Sequence, residues 1–185
     1  MEHFDHLTRD LHKFIEEQKI FFVGTATSKG LINISPKGLE SLKVIDKNRI
    51  LWMNLTGSGN ESAAHTQENP RMTLMFTSFE RKPLILRVYG EAKTIHRLDK
   101  NWDVLSSNFP ESDGSRQIFD LKISLVQTSC GYAVPFYDFK GERDILTNWN
   151  EKAGEKDIQK YWKENNAKSL DGIETNIEKK NIKQS

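Results

Sequence analysis

NLTGSGNESAAHTQENPR, residues 54–71, decides how this chain is read. It leaves an apolar, strand-like run (Arg49-Ile50-Leu51-Trp52-Met53) through Gly57-Ser58-Gly59. A helix-compatible stretch from Glu61 to Glu68 follows and stops before Asn69-Pro70. Strand, glycine-rich turn and helix N-terminus in that order present free backbone N–H groups to an anion. Thr56, Ser58, Asn60 and Ser62 add small hydrogen-bonding side chains around the turn. The turn reads as a phosphate site. Its ordinary reading is a strand-to-helix connection with Asn60 as the helix cap, since Ser and Asn cap helices in any protein.

A second loop, Ser35-Pro36-Lys37-Gly38, follows another strand and offers a lysine as the fixed positive charge a phosphate wants. A surface turn with an exposed lysine would look the same.

Composition bounds the rest. The chain has 185 residues, with 27 basic against 26 acidic side chains and a net charge of +1. That length suits one domain with a real core. The charge balance gives no electrostatic reason to expect nucleic-acid or membrane partners. Cys130 is the single cysteine, so no internal disulfide can form and a reducing cytoplasm is the expected home. The start, MEHFDHLTRD, is unlike a signal peptide, and no apolar run approaches the roughly 20 residues a membrane span needs.

Outward from the turn, short β-forming runs alternate with turns. Asp5 to Lys19 carries Leu7, Leu11, Phe14 and Ile15 at helical spacing. Strands are expected at Ile20–Thr27, Leu31–Ser35, Ser41–Ile45, Arg49–Leu55, Met72–Thr77, Leu84–Ala92 and Gln117–Ser129, with a helix over Leu98–Phe109. Short connections make the pairings antiparallel. The fold class is therefore mainly β with peripheral helices: a partly closed, six- to seven-stranded antiparallel barrel. One domain is expected over 1–172, including a helical, aromatic segment from about 142 that packs on the barrel or a partner subunit. Residues 173–185 lack aromatics and read as a disordered tail.

Familiar catalytic patterns are missing. The five histidines form no H-E-x-x-H pair, and His3 and His6 sit on what reads as a frayed, exposed terminus. There is no G-x-S-x-G elbow, Walker loop or G-x-G-x-x-G, and a lone cysteine such as Cys130 is more often a small buried hydrophobe than a nucleophile. Arg87 interrupts an apolar strand, so it is either a polar-face charge or a guanidinium reaching a ligand or a second subunit. Trp52 and Tyr132 read as core or interface residues that could stack on a ring.

FFVGTA, NISPKGLESLKV, LTGSGNESAAH, NPRMTLMF, LRVYGEA and QTSCGYAVP, in that order, resemble the pyridoxamine 5′-phosphate oxidase-like flavoproteins of the FMN-binding split-barrel fold. The similarity runs from about Phe14 to Gly172, and SPKG, LTGSGNE and TSCGYxVP resemble a branch described only by that family. It implies a homodimeric split barrel with FMN at the subunit interface. Carried over by position, FMN contacts fall on Ser35, Pro36, Lys37 and Gly38, and on Leu55, Thr56, Ser58, Asn60, Glu61 and Ser62. Arg87 and Tyr132 are candidates near the ligand or dimer seam. Where the family's oxidases place an Arg-Lys pair on the phosphate, this chain has Glu61 and Ser62. A carboxylate facing a phosphate costs affinity unless it points away, so hydroxyls, helix N–H groups and Lys37 must do the anchoring. The late Trp and Arg that position pyridoxamine phosphate have no counterpart after Tyr132, so oxidation of that substrate is not expected. The resemblance implies an FMN-dependent oxidoreductase acting on a small molecule. Its rivals are a non-catalytic flavin- or haem-binding module and a deazaflavin-dependent reductase of the same fold.

Overall fold

A computed structural model describes residues 1–183, and in it the chain rolls into one antiparallel sheet of eight strands. The strands are β1 (Glu2–Phe4), β2 (Phe21–Thr25), β3 (Asn33–Lys37), β4 (Leu42–Asp46), β5 (Arg49–Leu55), β6 (Arg71–Thr77), β7 (Ile85–His96) and β8 (Ser115–Ser129). Helices α1 (Arg9–Glu17), α2 (Glu61–Glu68), α3 (Trp102–Ser106), α4 (Ile145–Asn165) and α5 (Ile177–Asn181) decorate it. The spatial order is β3-β2-β6-β7-β8-β5-β4, and β1 pairs with β8 at Val126–Thr128, beyond the stretch of β8 that β5 covers.

Alternation builds the inner face. In β2, Phe21, Val23 and Thr25 point inward between half-buried neighbours, the period of a strand with one covered side. Phe21 stacks on Phe76 with ring centroids 5.8 Å apart, and Trp52 on Phe119 at 4.6 Å. Leu11, Phe14 and Ile15 of α1 close this core from one end. Each such side chain contributes about 1.5–3 kcal/mol by leaving water. Thr8 starts the helix, its Oγ1 accepting the Leu11 N–H at 3.3 Å. Gly90 marks a close approach: a Cβ there would run into the Lys122 carbonyl, beside the β7–β8 register shift. A second apolar cluster, Leu51, Met53, Ile95 and Ile118, lies beneath Leu105 and Phe109 around α3.

The sheet does not close. Its edges, β3 and the β4–β5 pair, come round to face each other, and the chain crosses between them at Gly38–Ser41. Leu39 and Glu40 make that crossing at φ +58° and +53°, left-handed conformations that cost a non-glycine residue energy.

Several expectations are corrected. There are eight strands rather than six or seven, because the N-terminus is no frayed end: Glu2–Phe4 finds an unpaired stretch of β8. Ser35, Pro36 and Lys37 belong to β3 rather than to a loop after it, and Pro36 is tolerated because β3 is an edge strand. The helix expected over 98–109 shrinks to Trp102–Ser106, because Asp99 accepts the His96 N–H and forms a turn. The tail read as disordered is ordered over 173–183: Thr175 and Ile177 are fully buried and Asn181 nearly so. Residues 184–185 lie outside the described residues.

Candidate functional site

The open seam of the sheet is a cavity of about 520 Å³, within the range of small-molecule sites. β3 supplies Ser35, Pro36 and Lys37 to one wall, and the end of β5 with the turn after it supplies the other. The first turn of α2 closes one end. Ten of the twelve residues singled out from sequence line it: Ser35, Pro36, Lys37, Gly38, Leu55, Thr56, Ser58, Asn60, Glu61 and Ser62. Arg87 does not. It lines a different concavity on the sheet and donates to Ser129 Oγ at 3.1 Å. Tyr132 is 83% exposed and lines neither.

Lining is not the same as offering a group, and the small polar side chains divide. Thr56 Oγ1 donates to the Gly114 carbonyl at 2.8 Å and accepts from Trp162 Nε1 at 2.9 Å, so it serves the protein. Asn60 faces inward too: its Oδ1 accepts from Asn54 Nδ2 and its Nδ2 donates to the Asn166 carbonyl. It gives α2 no side-chain cap. Ser62 Oγ lies 3.2 Å from both Thr25 Oγ1 and Asn33 Nδ2, tying α2 to β2 and β3. Ser58 is the exposed hydroxyl of the four.

The residue that sequence reading missed is Arg116, at the start of β8. Its side chain is buried beneath the glycine turn, where Nη2 donates to the Gly59 carbonyl at 2.6 Å and Nη1 to Asn166 Oδ1 at 2.6 Å. Asn166 Nδ2 donates to the Gly57 carbonyl at 2.9 Å. The bound carbonyls orient the turn. In a trans peptide the C=O and the next N–H point opposite ways, and the chain has no cis peptide. The Ser58 and Asn60 N–H groups therefore point away from the guanidinium, toward the exposed side of the turn. The N–H groups of Glu61 and Ser62 at the start of α2 join them, whereas those of Ala63 and Ala64 donate to the Asn60 carbonyl.

Two cations serve this cavity. Lys37 Nζ sits 5.2 Å from the centre of the Trp52 ring. Burial, and then the charge of Arg116, push its pKa down to about 8. Burial lowers Arg116 to about 9, which leaves it charged at neutral pH. Glu61, the carboxylate that threatened the site, is drawn aside: both its oxygens accept the Leu170 N–H, at 3.1–3.2 Å. Among the described residues no group of three or more His, Cys, Asp or Glu could hold a metal, and no helix is long and apolar enough to cross a membrane. Cys130 is exposed rather than buried.

One sequence signal could have found Arg116. Ser115-Arg116-Gln117 puts three consecutive polar residues at the head of a strand, and all three are buried. Asn166 and the segment behind it carry no such local signature.

Comparison with known proteins agrees with this architecture. The family model for pyridoxamine 5′-phosphate oxidase matches residues 7–130. The family protein ustO of Aspergillus flavus is 35% identical over 140 residues, which cover 73% of this chain and 56% of ustO. The chain thus spans little more than half the length of that curated relative. Among solved structures, a putative pyridoxamine 5′-phosphate oxidase from Lactobacillus delbrueckii superposes with TM-score 0.55 at 16% identity, covering 69% of this chain and 99% of that one. Group A Streptococcus HupZ superposes with TM-score 0.52 at 16% identity, covering 71% and 99%.

Proposed function

The chain belongs to the pyridoxamine 5′-phosphate oxidase family, and we propose that it is an FMN-binding flavoprotein whose cavity at the open seam holds the cofactor. One observation carries this reading. The glycine turn is pinned through its carbonyls by Arg116 and Asn166, so its N–H groups face outward as an anion cradle with Lys37 across the cavity. Ser58, the backbone of residues 58–62 and Lys37 would hold the phosphate, and the β3 backbone at Ser35 and Pro36 would lie along the ring. The Arg-Lys pair of the family's oxidases is not needed, because a buried arginine from another strand stands under the same turn.

Bound FMN would supply the redox chemistry. What the chain's own side chains do is bind, orient and exclude water. Glu61 is engaged by the Leu170 N–H, and Lys37 offers the ligand a positive charge below its pKa of about 8. We propose an oxidoreductase acting on a small molecule, with binding without turnover as the rival that the same observation admits.

The proposed working form is a homodimer. β3 is an open sheet edge, and Ile32 just before it and Ile34 on it, 74% and 69% exposed, line the concavity that also holds Arg87; a second copy seated there would cover both. Light scattering should give the dimer mass; a monomer at micromolar concentration would remove the shared site.

The deciding test is the visible spectrum of freshly purified protein, with chromatography of whatever heat releases. A flavin spectrum and released FMN are expected. A deazaflavin or haem spectrum would replace the cofactor assignment, and a colourless protein that takes up no added FMN would refute it. Reduction of the bound flavin by NADPH would separate an oxidoreductase from a binding module.

A further inference from the structure

Arg116 is unusual in its company. Every acceptor it touches is neutral: the carbonyls of Gly57 and Gly59, and the amide oxygens of Asn54 and Asn166. No ion pair among the described residues includes it. Its Nε has no partner at all, although the residue is only 2% exposed. A buried charge without a counter-charge is destabilising unless a bound group of opposite charge offsets it. Lys37 lines the same cavity and feels the guanidinium as a repelling charge. Two cations therefore share a cavity with one carboxylate, Glu61, which is turned to the Leu170 N–H and, among the described residues, pairs with neither; one positive charge is left uncompensated.

The means of holding Arg116 is as telling. Asn166 accepts from its Nη1 and donates to the Gly57 carbonyl, so one amide bridges the guanidinium and the turn. Thr175 Oγ1 and Asn60 Nδ2 donate to the Asn166 backbone carbonyl, and Asn181 Nδ2 donates to the carbonyl of Arg116 itself. Asn60 apart, the groups that make these contacts come from residues 166–181, beyond the 7–130 stretch that matches the family.

We propose that Arg116, held by Asn166, is the specificity-determining charge of this cavity, a positioning residue that favours a phosphate-bearing ligand over the same ligand without its phosphate. It acts through the turn it grips: it fixes the N–H groups outward and places an uncompensated positive charge behind them. The choice of FMN as the ligand rests on the function proposed above; the preference for an anion does not.

The test is a pair of titrations of flavin-free protein, with FMN and with riboflavin, followed by quenching of flavin fluorescence. The unaltered protein should prefer FMN by about a hundredfold, and Arg116→Gln should lower that ratio by about thirtyfold, the scale of losing interactions with a charged group. Riboflavin affinity should move by less than about threefold. Arg116→Lys, which keeps the charge, should retain most of the preference. Asn166→Asp, which sets a carboxylate against the guanidinium and so cancels its charge, should lose it, and this variant serves if Arg116→Gln does not fold. Equal weakening of FMN and riboflavin in the variants would make Arg116 a plain buttress and overturn the proposal. If the unaltered protein binds neither flavin, the cofactor reading fails and inorganic phosphate becomes the probe. A rise in thermal midpoint with 10 mM phosphate, about 2 °C or more, that vanishes in Arg116→Gln and Asn166→Asp would keep the proposal. No rise, or one unchanged in both variants, would overturn it.

Discussion

The barrel and the segment that follows it are held together by opposite means. Between β2 and β8 order comes from apolar alternation: Val23, Leu74, Leu86, Val88, Ile118 and Phe119 are wholly buried and need no partner beyond one another. From Ile145 onward, among the described residues, the buried apolar cluster is Ile158, Trp162 and Ile177, with Ala153, Tyr161 and Ile182 packed against it. The rest of that attachment is polar: Asn166, Ser169, Thr175 and Asn181 are buried and bonded to the barrel or to each other. An apolar core tolerates small losses of fit one at a time. A buried polar clasp does not, because removing one member strands another without a partner. The cavity lies where the two meet, so its geometry inherits the stricter of the two dependences.

The most severe way to break this contrast is to end the chain at Asn165. If the segment were an appendage, the barrel would keep its stability. Removal instead takes two partners from Arg116's surroundings and the Leu170 N–H from Glu61, and it uncovers Trp162. The expected loss is about 5 kcal/mol, built from stranded polar groups at about 1–3 kcal/mol each and one emptied apolar site. The thermal midpoint should fall by about 10–20 °C and FMN should no longer co-purify. An unshifted midpoint would show the clasp to be ornamental.

Trp162 sharpens the same contrast within one side chain. Its ring is wholly buried with Arg97 over it at 5.5 Å, and its Nε1–H reaches Thr56 at the entrance to the glycine turn. Trp162→Ala should cost about 3–5 kcal/mol as a cavity. Trp162→Phe keeps most of the apolar volume and removes the donor, at about 1–2 kcal/mol. Denaturant midpoints give both numbers. If Phe restores full stability, the polar bond contributes nothing and the segment is held as the barrel is.

How much of this was legible in the sequence follows from the same division. Strands such as Arg49–Leu55 and helix α1 are readable because apolar spacing is local and repeats along the chain. Six of the ten site residues at the cavity, from Leu55 to Ser62, belong to the strand–turn–helix signal, which is also local, and the other four, Ser35 to Gly38, to a second short stretch. Arg116 and Asn166 are 50 residues apart and meet under a turn belonging to a third segment, a relation no window along the chain can display. Thr175, Asn176 and Asn181 have the composition of a solvated tail, and partners distant along the chain or across the segment, Asn166, Gln67 and the Arg116 carbonyl, hold them in place. The small polar side chains misled for a related reason. Sequence shows that Thr56, Asn60 and Ser62 are near the turn; whether they serve the protein or a ligand depends on Gly114, Asn166 and Asn33, which come from elsewhere in the chain.

Lys37 separates the two cations by pH. Its folded pKa near 8, below the ordinary value of about 10.4, means that ligand-free protein loses this charge as pH rises through 8. A bound phosphate would hold the proton on, so FMN affinity should fall by up to about tenfold per pH unit above 8. Stability has the opposite sign. Between pH 8 and 10 the unfolded chain binds the proton that the folded lysine has released, so this group makes ligand-free protein more stable as pH rises. Titrations from pH 7 to 9.5 check the first and thermal midpoints the second. Lys37→Gln should flatten both and, because it removes a charge that faces the phosphate, lower the FMN-over-riboflavin preference at pH 7 without abolishing it; a pH slope that survives the substitution would move the titration to another group.

The smallest effect is expected at Tyr132, and it bears on whether the cavity of one chain is the whole site. At 83% exposure Tyr132 touches neither the cavity nor the core of its own chain, so Tyr132→Ala should shift stability by less than about 0.5 kcal/mol. Arg87 is likewise outside the cavity, with Ser129 as its hydrogen-bond partner. Within an isolated chain neither substitution has a route to FMN. Any weakening of FMN by Tyr132→Ala or Arg87→Ala must therefore pass through a second copy, and under the proposed dimer it should deepen on dilution as the copies part. A loss that is the same at every protein concentration would place the effect inside one chain, against the geometry; no loss at all would leave the seam residues of the barrel and the clasp behind it as the complete site.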